Sequence, residues 1–332
     1  MKAQLLHKTA PAEDAPLELA DLPIPEPGDD QIRLSVQVCG VCHTDLHTIE
    51  GELSLPKLPL VPGHQVVGMV DAVGSRVTRF REGDHVGVAW LNSICGACRY
   101  CESGRENLCE GARFTGYHAD GGYAEYTVVS QDFAYPVPQG FSALEAAPLL
   151  CGGVIGYRAL RLSGAREGDR LGLYGFGSSA HIVIQVALHR GMEVYVYTRG
   201  PDHQELARRL GAAWVGRAED GTPETLDSAI IFAPAGPLVP VALQALHRGG
   251  TVALAGIHMS LIPEMDYGLL YGERTLRSVA NSTRRDASEL LDVVREVPIR
   301  TEVQAFPLEQ ANRALQLLKM GGINGAGVLT VS

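Results

Sequence analysis

The alternation of apolar and polar positions divides the chain into parts of different character. Up to about residue 150, short apolar runs are separated by proline and glycine, as in QIRLSVQV, HQVVGMVDAV and DHVGVAW. Runs of this length between turn residues are typical of β-strands, and no long amphipathic helix interrupts them. The pattern therefore predicts an antiparallel, barrel-like domain for the first part of the chain.

From about Asp169 onward, strand-like and helix-like segments alternate. In order, these segments are RLGLYGFG, SSAHIVIQVALHRG, EVYVYTR, PDHQELARRLG, SAIIFAPA, VPVALQALHRGG and TVALAGI. Strands that alternate with helices of this length predict βαβ units and a parallel sheet covered by helices on both faces. The expected fold class is therefore α/β, with a doubly wound parallel sheet beside a β-rich domain.

The last part of the chain changes character again. Two amphipathic helical segments, DASELLDVVREV and LEQANRALQLLKMG, precede a closing strand, AGVLTVS,. We interpret this tail as returning to the first domain, so that the βαβ part is an insertion. The predicted boundaries are residues 1–151 with 287–332 for the β-rich domain and residues 152–286 for the inserted domain.

Length, composition and charge narrow the possible functions. A chain of 332 residues exceeds the size at which one hydrophobic core usually stops growing, which agrees with two domains,. Hydrophobic residues make up 45% and charged residues 20%, as expected for a globular protein with a sizeable core,. The formal net charge of -10 argues against a nucleic-acid partner, because phosphate backbones are bound by clustered Lys and Arg,. With no signal peptide or membrane-spanning run in view, we expect a cytoplasmic enzyme that does not bind membranes.

Four of the seven cysteines are crowded into the segment CGACRYCESGRENLC. The spacing CxxCxxCx7C is formed by Cys95, Cys98, Cys101 and Cys109. Four thiolates that one loop can wrap around an ion suit structural zinc in tetrahedral coordination. An iron-sulfur cluster is one alternative, but its fourth cysteine usually follows at a shorter gap and before proline, whereas Glu110 follows here,. Vestigial or disulfide-forming thiols are the other alternative.

A second group of metal-binding residue types is spread over the first domain. CGVCHTDLH contains Cys42, Thr44, Asp45 and His47, PGHQ contains His64, and PLLC ends in Cys151. Taken singly, such a cysteine or histidine is more often an ordinary core or turn residue. Together, two thiolates and an imidazole are the protein ligands expected of a catalytic zinc that leaves its fourth position to water or substrate. We therefore predict zinc binding by Cys42, His64 and Cys151, whereas Cys39 is expected in the core.

A glycine-rich turn lies near the start of the inserted domain. Around the end of RLGLYGFG, the pattern GxGxxA is formed with Gly172, Gly175, Gly177 and Ala180. Such a turn can serve plain packing, but the strand before it, the helix beginning near Ser178 and the next strand match a dinucleotide-binding fingerprint. The pyrophosphate is then expected at the helix N-terminus, where unpaired N–H groups favour anions.

The end of the strand EVYVYTR bears on the choice of dinucleotide. An acidic residue there usually binds the adenine-ribose hydroxyls and repels a 2′-phosphate, but this chain has Tyr197, Thr198 and Arg199,. A hydroxyl together with a guanidinium can accept the extra phosphate of NADP. We therefore favour NADP(H) over NAD(H). The alternative is an Arg199 that is merely exposed in the loop before Pro201.

Several motifs, taken in order, resemble one known family over essentially the whole chain. They are CGVCHTDLH, PLVPGH, GDHVGVAWLNSICGACRYCESGRENLC, PLLCGGVIGYRAL and YGFGSSAH. The chain resembles a zinc-containing medium-chain alcohol dehydrogenase of microbial type. The resemblance implies a GroES-like catalytic domain, a Rossmann domain, and a cleft holding zinc and nicotinamide. It also implies two zinc ions per subunit, one held by Cys42, His64 and Cys151 and one by the cysteine quartet.

The same resemblance suggests roles for residues near the catalytic zinc. The proton of the alcohol would leave through the Thr44 hydroxyl, a nicotinamide ribose hydroxyl and then His47, because imidazole is the side chain suited to proton transfer near neutrality. Asp45 is expected to accept a hydrogen bond from His64 and fix its tautomer, with a solvated loop acid as the alternative. One position departs from many relatives, because Gln65 replaces the glutamate that usually follows the ligand histidine.

Further roles are carried over by similarity alone. The nicotinamide would be held by backbone groups of Ala255, Val279 and Asn281, with Ile155 behind the ring. The alcohol pocket would be lined by Leu53, Trp90 and Ile257, although such residues are more often plain core. An apolar lining predicts a primary aliphatic or aromatic alcohol, or the aldehyde in reverse. Family habit implies a homodimer or homotetramer that pairs through a sheet edge near LLYGERTLRSVA.

Three other functions are compatible with parts of the sequence. A zinc-free quinone or enoyl reductase of the same superfamily would share the fold but would not need Cys42, His64 and Cys151 together. A non-catalytic binding protein would keep the fold and the quartet zinc without turnover. An iron-sulfur electron carrier would use the quartet for a coloured cluster.

Overall fold

The computed structural model describes residues 1–297 and 299–331 and divides the chain into two compact units. The first unit combines Met1–Cys151 with Ser282–Arg295 and the chain from Thr301 onward, and the second combines Gly152–Asn281 with Glu296–Arg300. The second unit begins at Gly152, and the chain returns to the first unit at Ser282, where the N-terminal end of the next helix is bonded to Glu106.

Short strands dominate the first 151 residues. The elements are β1 (Lys2–Leu6), β2 (Leu17–Asp21), β3 (Gln31–Val41), α1 (His43–Glu50), β4 (Gln65–Val73), β5 (His85–Val88), β6 (Leu91–Ser93), α2 (Arg99–Glu102), β7 (Arg113–Phe114), β8 (Tyr126–Ser130), β9 (Ala134–Pro136) and α3 (Ala143–Ala146). Alternate side chains of β3 are buried, which is the period-two pattern that predicted this strand,. The hydrophobic core of the unit is built largely from these alternate valine, leucine and isoleucine side chains.

The second unit alternates strands and helices. Its elements are α4 (Gly152–Ser163), β10 (Arg170–Tyr174), α5 (Ser178–His189), β11 (Glu193–Tyr197), α6 (Pro201–Arg209), β12 (Trp214–Gly216), β13 (Leu226–Ile231), α7 (Leu238–Gln244), β14 (Leu246–Leu254) and β15 (Thr275–Ser278). The strands form a six-stranded sheet in the order β12-β11-β10-β13-β14-β15. Every neighbouring pair is parallel, which confirms the predicted doubly wound sheet.

The tail adds α8 (Arg284–Glu296), β16 (Val303–Pro307), α9 (Ala311–Lys319) and β17 (Ala326–Thr330). β17 pairs antiparallel with β3, so the tail completes the sheet of the first unit. That sheet runs β16-β17-β3-β4-β5-β9, with β8 also paired to β3. Its pairs are antiparallel except for the parallel pair of β16 and β17. Within residues 1–297 and 299–331, no helix combines the length and apolar character needed to cross a bilayer.

One element prediction was wrong. The segment VPVALQALHRGG was expected to be helical throughout, but α7 ends at Gln244 and β14 starts at Leu246. Leu246 pairs with Leu226 of the neighbouring strand, and Gly249 has a φ of 80°, a conformation that does not fit a right-handed helix,. Strand pairing therefore overrides the helical spacing of the apolar residues in this segment.

Candidate active site

Three predicted zinc ligands come together in the first unit. Cys42 Sγ lies 3.4 Å from His64 Nε2 and 3.9 Å from Cys151 Sγ, and His64 Nε2 lies 3.4 Å from Cys151 Sγ. Two of the ligands meet because β3 and β4 are antiparallel neighbours, with Gly40 opposite Gln65. Cys42 directly follows β3 and His64 directly precedes β4, so both lie at the same end of the strand pair. Cys151 follows a 3-10 turn that lies against β4.

The spacing of the three donor atoms fits zinc. Tetrahedral zinc, with bonds of about 2.3 Å to sulfur and about 2.0 Å to nitrogen, places two sulfurs about 3.8 Å apart and sulfur and nitrogen about 3.6 Å apart. A disulfide would need the sulfurs at about 2 Å. The contact with Cys151 and burial raise the pKa of Cys42 well above its usual value. A cation is therefore what would allow Cys42 to be held as a thiolate, and the three residues supply the donors of an open zinc site,.

Asp45 has two functions in the local structure. One carboxylate oxygen accepts a hydrogen bond from the Cys42 N–H at 2.9 Å, which caps α1,. The other oxygen lies 3.1 Å from His64 Nδ1. Asp45 is only 1% exposed, so it is not the solvated loop acid that was considered as an alternative. The contact with Nδ1 leaves Nε2 directed to the two sulfurs, as expected for a carboxylate that orients a histidine ligand.

The charge on Asp45 also affects the titration of His64. Burial lowers the pKa of His64, but the carboxylate of Asp45 and the neighbouring Cys42 together raise it to about 10. A proton on His64 therefore competes with a metal ion for Nε2. Metal binding at these three residues must release that proton, as is general for protein metal sites.

The helix α1 carries the two residues expected to move the proton. Thr44 and His47 are both half-buried, and the His47 Nδ1 contacts a carboxylate oxygen of Glu52. Glu52 was not anticipated from the sequence. The feature of the sequence that could have indicated this contact is Gly51. This glycine ends α1 with a φ of 78° and turns the chain so that the next residue, Glu52, faces His47,.

Gln65 is enclosed next to the ligand His64. It is 2% exposed, and its Nε2 has no hydrogen-bond partner among the residues that the structure describes. The side chain packs over Gly40, where an added Cβ would lie 2.7 Å from the carboxamide carbon. The strand pair therefore requires glycine at residue 40 to hold a long side chain at residue 65.

Aromatic side chains form a wall beside His64. The Trp90 ring meets the His64 ring edge-on at 4.9 Å and stacks on Phe114 at 4.9 Å, and the Tyr117 ring lies 5.8 Å from Trp90. We name Trp90, Phe114 and Tyr117 the aromatic wall. Leu53 lies half-buried in the loop after α1 in the same unit. Trp90 was predicted from the sequence to line the pocket, whereas Phe114 and Tyr117 were not singled out. Both lie in the aromatic segment RFTGYH just after the quartet, which is the feature that could have indicated them.

The cysteine quartet is also assembled. Cys95 Sγ lies 3.5 Å from Cys109 Sγ and 3.9 Å from Cys101 Sγ, and Cys98 Sγ lies 3.5 Å from Cys101 Sγ. These separations again match sulfurs around tetrahedral zinc, about 3.8 Å apart. The Ala97 N–H and the neighbouring thiols lower the pKa of Cys95 to about 6, which favours its thiolate. Four sulfur donors leave no coordination position open for a substrate.

The lobe that carries the quartet is fastened to α8. The Glu106 carboxylate accepts hydrogen bonds from Arg284 Nη2 at 2.7 Å and from Arg284 Nε at 3.1 Å. It also accepts one from the Arg284 backbone N–H at 2.7 Å, at the first residue of α8. A carboxylate at a helix N-terminus is favoured by the unpaired N–H groups and the helix dipole. Glu106 therefore joins two segments that the sequence did not connect.

The glycine-rich turn of the second unit has the expected form. Gly175 has a φ of 92°, and a Cβ there would lie 2.9 Å from the Ala233 nitrogen. Gly177 precedes α5 and faces open space, and Ala180 is fully buried. Gly172 differs from these because it lies within β10, where a Cβ would come within 2.6 Å of the Leu226 side chain. Its missing side chain serves packing of the sheet.

Of the three residues at the strand end predicted to lie near the adenine ribose, two are buried and one is exposed. Tyr197 is 4% exposed and stacks on Tyr174, with ring centroids 4.2 Å apart. Thr198 is also buried, and its N–H donates to the Gly216 carbonyl at 2.9 Å. Arg199 is exposed at the end of β11 and has no hydrogen bond or ion pair within residues 1–297 and 299–331. The guanidinium is therefore the charged group that this strand end presents.

The remaining cofactor and pocket residues lie in the second unit. The N–H groups of Ala255 and Val279 donate to the carbonyls of Ile231 and Leu254 at 2.9 and 2.8 Å. Their carbonyl oxygens are therefore the atoms that a carboxamide could contact. Asn281 has a φ of 51°, Ile155 is half-buried in α4, and Ile257 is 51% exposed.

Comparison with known families decides the identity of the chain. The model of the alcohol dehydrogenase GroES-like domain matches residues 28–139, and that of the zinc-binding dehydrogenase matches residues 180–296. The chain is 48% identical to a probable alcohol dehydrogenase, AdhA, of Mycobacterium tuberculosis, over 100% of this chain and 97% of the relative. The chain belongs to the zinc-type alcohol dehydrogenase family. The family that the motifs resemble is thereby confirmed.

Solved structures of related proteins agree with the fold of this alcohol dehydrogenase. A cinnamyl alcohol dehydrogenase of Sorghum bicolor is 29% identical, with a TM-score of 0.90, over 99% of this chain and 97% of that chain. An acetophenone reductase of Geotrichum candidum, solved in complex with NAD, is 27% identical, with a TM-score of 0.89 and the same coverage of both chains. The predicted combination of a GroES-like domain with a Rossmann domain is confirmed.

Proposed function

We propose that this alcohol dehydrogenase oxidises primary aliphatic or aromatic alcohols to aldehydes, and reduces aldehydes in reverse, with zinc and a nicotinamide dinucleotide. The observation that carries the proposal is the contrast between its two metal-binding groups. Cys42, His64 and Cys151 offer three donors, whereas the quartet offers four,. A bound zinc ion would polarise the alcohol oxygen as a Lewis acid, and a bound nicotinamide ring would accept the hydride.

The residues around the three donors have defined tasks in this proposal. Asp45 holds His64 in the tautomer whose Nε2 faces the sulfurs, at 3.4 Å from each,. The Thr44 hydroxyl would accept the proton of the alcohol and pass it toward His47. Because Glu52 contacts Nδ1 of His47, it keeps the ring proton on that nitrogen and makes Nε2 the basic atom,.

The aromatic wall supports an apolar, uncharged substrate. The Trp90 ring lies edge-on to a proposed zinc ligand, which supports an indole close to the carbon atoms of a bound alcohol. Apolar walls exclude water and favour hydrocarbon groups, with specificity set by a few polar atoms. Leu53 and Ile257 remain proposed pocket residues on the basis of family similarity.

We further infer two zinc ions per subunit, with the quartet binding the structural one. All four quartet sulfurs lie within 4.8 Å of one another, which supports a closed tetrahedral site,. Metal analysis of the purified protein is expected to give two zinc ions per subunit. A single ion, or a coloured protein with bound iron, would contradict the assignment.

The choice of dinucleotide is proposed as NADP(H). The exposed Arg199, without an ion-pair partner in the described part of the chain, supports binding of a 2′-phosphate,. We expect kcat/KM to be higher for NADP than for NAD, and Arg199→Ala to lower the value for NADP alone. Lys2→Ala, a change to another exposed cation at a distant position, is the matched control. A clear NAD preference in the unaltered protein would refute the choice.

The oligomeric state is proposed from the open edge of the parallel sheet. β15 is one of the two edge strands of this sheet, the other being β12, and paired edges are a common route to association,. We propose a homodimer or homotetramer formed through this edge. Analytical ultracentrifugation is expected to give twice or four times the 35.5 kDa subunit mass, and a monomer at micromolar concentration would refute the proposal.

The overall function is tested by activity and metal content measured together. We expect the protein to oxidise ethanol and benzyl alcohol and to reduce hexanal, and we expect Cys42→Ala and Cys151→Ala to abolish turnover and lose one zinc per subunit. Cys39→Ala is the matched control, because Cys39 is buried nearby but is not among the proposed ligands. Retained turnover in the zinc-depleted variants would instead support a zinc-free reductase. Bound zinc without any turnover in the unaltered protein would support a binding protein.

A further inference from the structure

The loop after α1 is fastened to the segment that carries the aromatic wall. We name residues 51–58 the Leu53 loop. The Tyr117 hydroxyl donates a hydrogen bond to the Ser54 carbonyl oxygen at 2.6 Å. The Lys57 ammonium lies 2.7 Å from an Asp120 carboxylate oxygen, and that oxygen also accepts a hydrogen bond from the Val61 N–H at 3.0 Å. The loop is thus joined at two points to residues 117–120.

The two ends of the loop differ in how they are held. At its start, the N–H groups of Glu52 and Leu53 donate to the His47 carbonyl at 3.0 and 3.4 Å, so these residues follow the end of α1. Beyond Leu53, the Ser54 carbonyl is held by Tyr117 instead of by the helix. Leu53, the proposed pocket residue, therefore lies between an attachment to α1 and an attachment to Tyr117.

The two fastenings to residues 117–120 differ in kind. The Lys57 and Asp120 side chains are 36% and 55% exposed, and ion pairs this exposed contribute little because water screens them,. The Tyr117 hydroxyl meets a backbone carbonyl at a short distance, and its ring is held in place by Trp90 at 5.8 Å and by His118 at 4.7 Å. A donor on a positioned ring loses little conformational freedom when it forms the bond.

We propose that Tyr117 determines which alcohols this enzyme accepts, by holding the Leu53 loop against the aromatic wall. Trp90 is one ring away from the proposed ligand His64, and Tyr117 is the next ring along the wall. Because the loop is fastened to a ring of this wall, we expect it to limit the width available to the carbon chain of an alcohol that lies along the wall. This inference rests on the proposed function, since it assigns the substrate size of the same site.

The substitution Tyr117→Phe separates the hydroxyl from the ring. Phenylalanine keeps the contact with Trp90 but removes the bond to Ser54. Loss of one such hydrogen bond changes an equilibrium constant about fivefold, which is equivalent to about 1 kcal/mol. We expect the ratio of kcat/KM for benzyl alcohol to kcat/KM for ethanol to rise about fivefold. The larger part of the change is expected in KM, because Ser54, the residue that Tyr117 holds, belongs to the part of the loop beyond Glu52 and has no part in the proposed proton path.

A matched control is available in the same unit. Tyr126 is a half-buried tyrosine of β8 whose ring lies 5.7 Å from the Arg33 guanidinium, and it is not part of the proposed site. Tyr126→Phe is expected to leave the ratio for the two alcohols unchanged. An equal change in both variants would overturn the proposal, because it would show a general effect of removing a tyrosine hydroxyl.

Hydrogen exchange tests the loop without relying on turnover. In the zinc-loaded protein, the amides of residues 52–55, 57 and 58 are expected to exchange about fivefold faster in Tyr117→Phe than in the unaltered protein, whereas Tyr126→Phe is expected to leave their exchange unchanged. Unchanged exchange would show that the hydroxyl does not hold the loop. Faster exchange with an unchanged ratio for the two alcohols would overturn the role in substrate selection. If the unaltered protein oxidises neither alcohol, the proposed function fails, and the exchange measurement still decides whether Tyr117 holds the loop.

Discussion

The position of Asp45 allows a prediction that separates its charge from its shape. In Asp45→Asn the side chain keeps its volume, but one of the two carboxylate oxygens becomes an NH2 group. That group would face either the Cys42 N–H, now 2.9 Å from the carboxylate, or His64 Nδ1, now 3.1 Å away. A donor facing a donor cannot bond, so the variant must lose one hydrogen bond or turn His64 into the wrong tautomer for metal binding.

The magnitude follows from the burial of the site. Asp45 is 1% exposed, so solvent cannot replace the lost bond. A hydrogen bond to a buried charged group contributes about 2 kcal/mol, which corresponds to roughly 30-fold in an equilibrium constant. This value lies within the range of about 10-fold to 100-fold that is typical when a residue supporting a metal ligand is changed. We therefore expect zinc affinity at Cys42, His64 and Cys151 to fall roughly 30-fold.

The assay is competition with a chromophoric zinc chelator, combined with metal analysis after dialysis. Asp45→Asn is expected to lose one of the two zinc ions per subunit and to keep the other, because the quartet lies in a different loop. Asp71→Asn is the matched control, since Asp71 is a carboxylate of the same sheet that pairs with Arg33 at 3.0 Å. The reasoning would be refuted if Asp45→Asn bound zinc as tightly as the unaltered protein and the control do.

Three further predictions concern other parts of the molecule. Gly172→Ala is expected to destabilise the protein by about 1–3 kcal/mol, because the new Cβ would lie 2.6 Å from the Leu226 side chain,. Thermal unfolding should show a lower Tm, while the KM for the dinucleotide stays the same. A raised KM with an unchanged Tm would contradict the packing role of Gly172. Cys98→Ser is expected to lose one zinc per subunit and lower the Tm without loss of the catalytic zinc, and retention of both ions would rule out the quartet as a zinc site. In zinc-free protein at pH 7, iodoacetamide is expected to modify Cys95 much faster than Cys101. The reason is that the pKa of Cys95 is lowered to about 6, whereas burial and neighbouring thiols raise the pKa of Cys101 to about 12,. Mass spectrometry over pH 5 to 9 should show the rate of Cys95 modification rising near pH 6, and equal rates for the two cysteines would refute the difference.

Residue patterns predicted the elements best where one face of an element is buried. The helix that follows the glycine-rich turn begins at Ser178, as expected, because the turn glycine and the apolar spacing indicate the same start,. The segment around Leu246 was mispredicted because its apolar residues fit a helix as well as a strand. Pairing of Leu246 with Leu226 decided between them, and that pairing depends on the neighbouring strand.

The chemistry of the candidate site was more predictable than its supporting contacts. Cysteine and histidine side chains were recognised by residue type and spacing, whereas Glu52, Tyr117 and Glu106 were not. The bond between Glu106 and Arg284 joins residues 178 positions apart, and nothing in the quartet motif that contains Glu106 indicates Arg284 as its partner. Acidic and aromatic residues are common in any chain, so only proximity in the fold distinguishes those that act.

The donor atoms, the apolar periodicity and the turn glycines can be read from the residues alone, since these are properties of single residues or of neighbours along the chain. The fold is needed to bring Cys42, His64 and Cys151, separated by 22 and 87 positions, close enough together to bind one ion. The physical reason is the register of β3 on β4, which brings Cys42 and His64 to the same end of the strand pair, together with the 3-10 turn before Cys151, which lies against β4. Backbone pairing in the sheet thus converts separate reactive side chains into one metal-binding site.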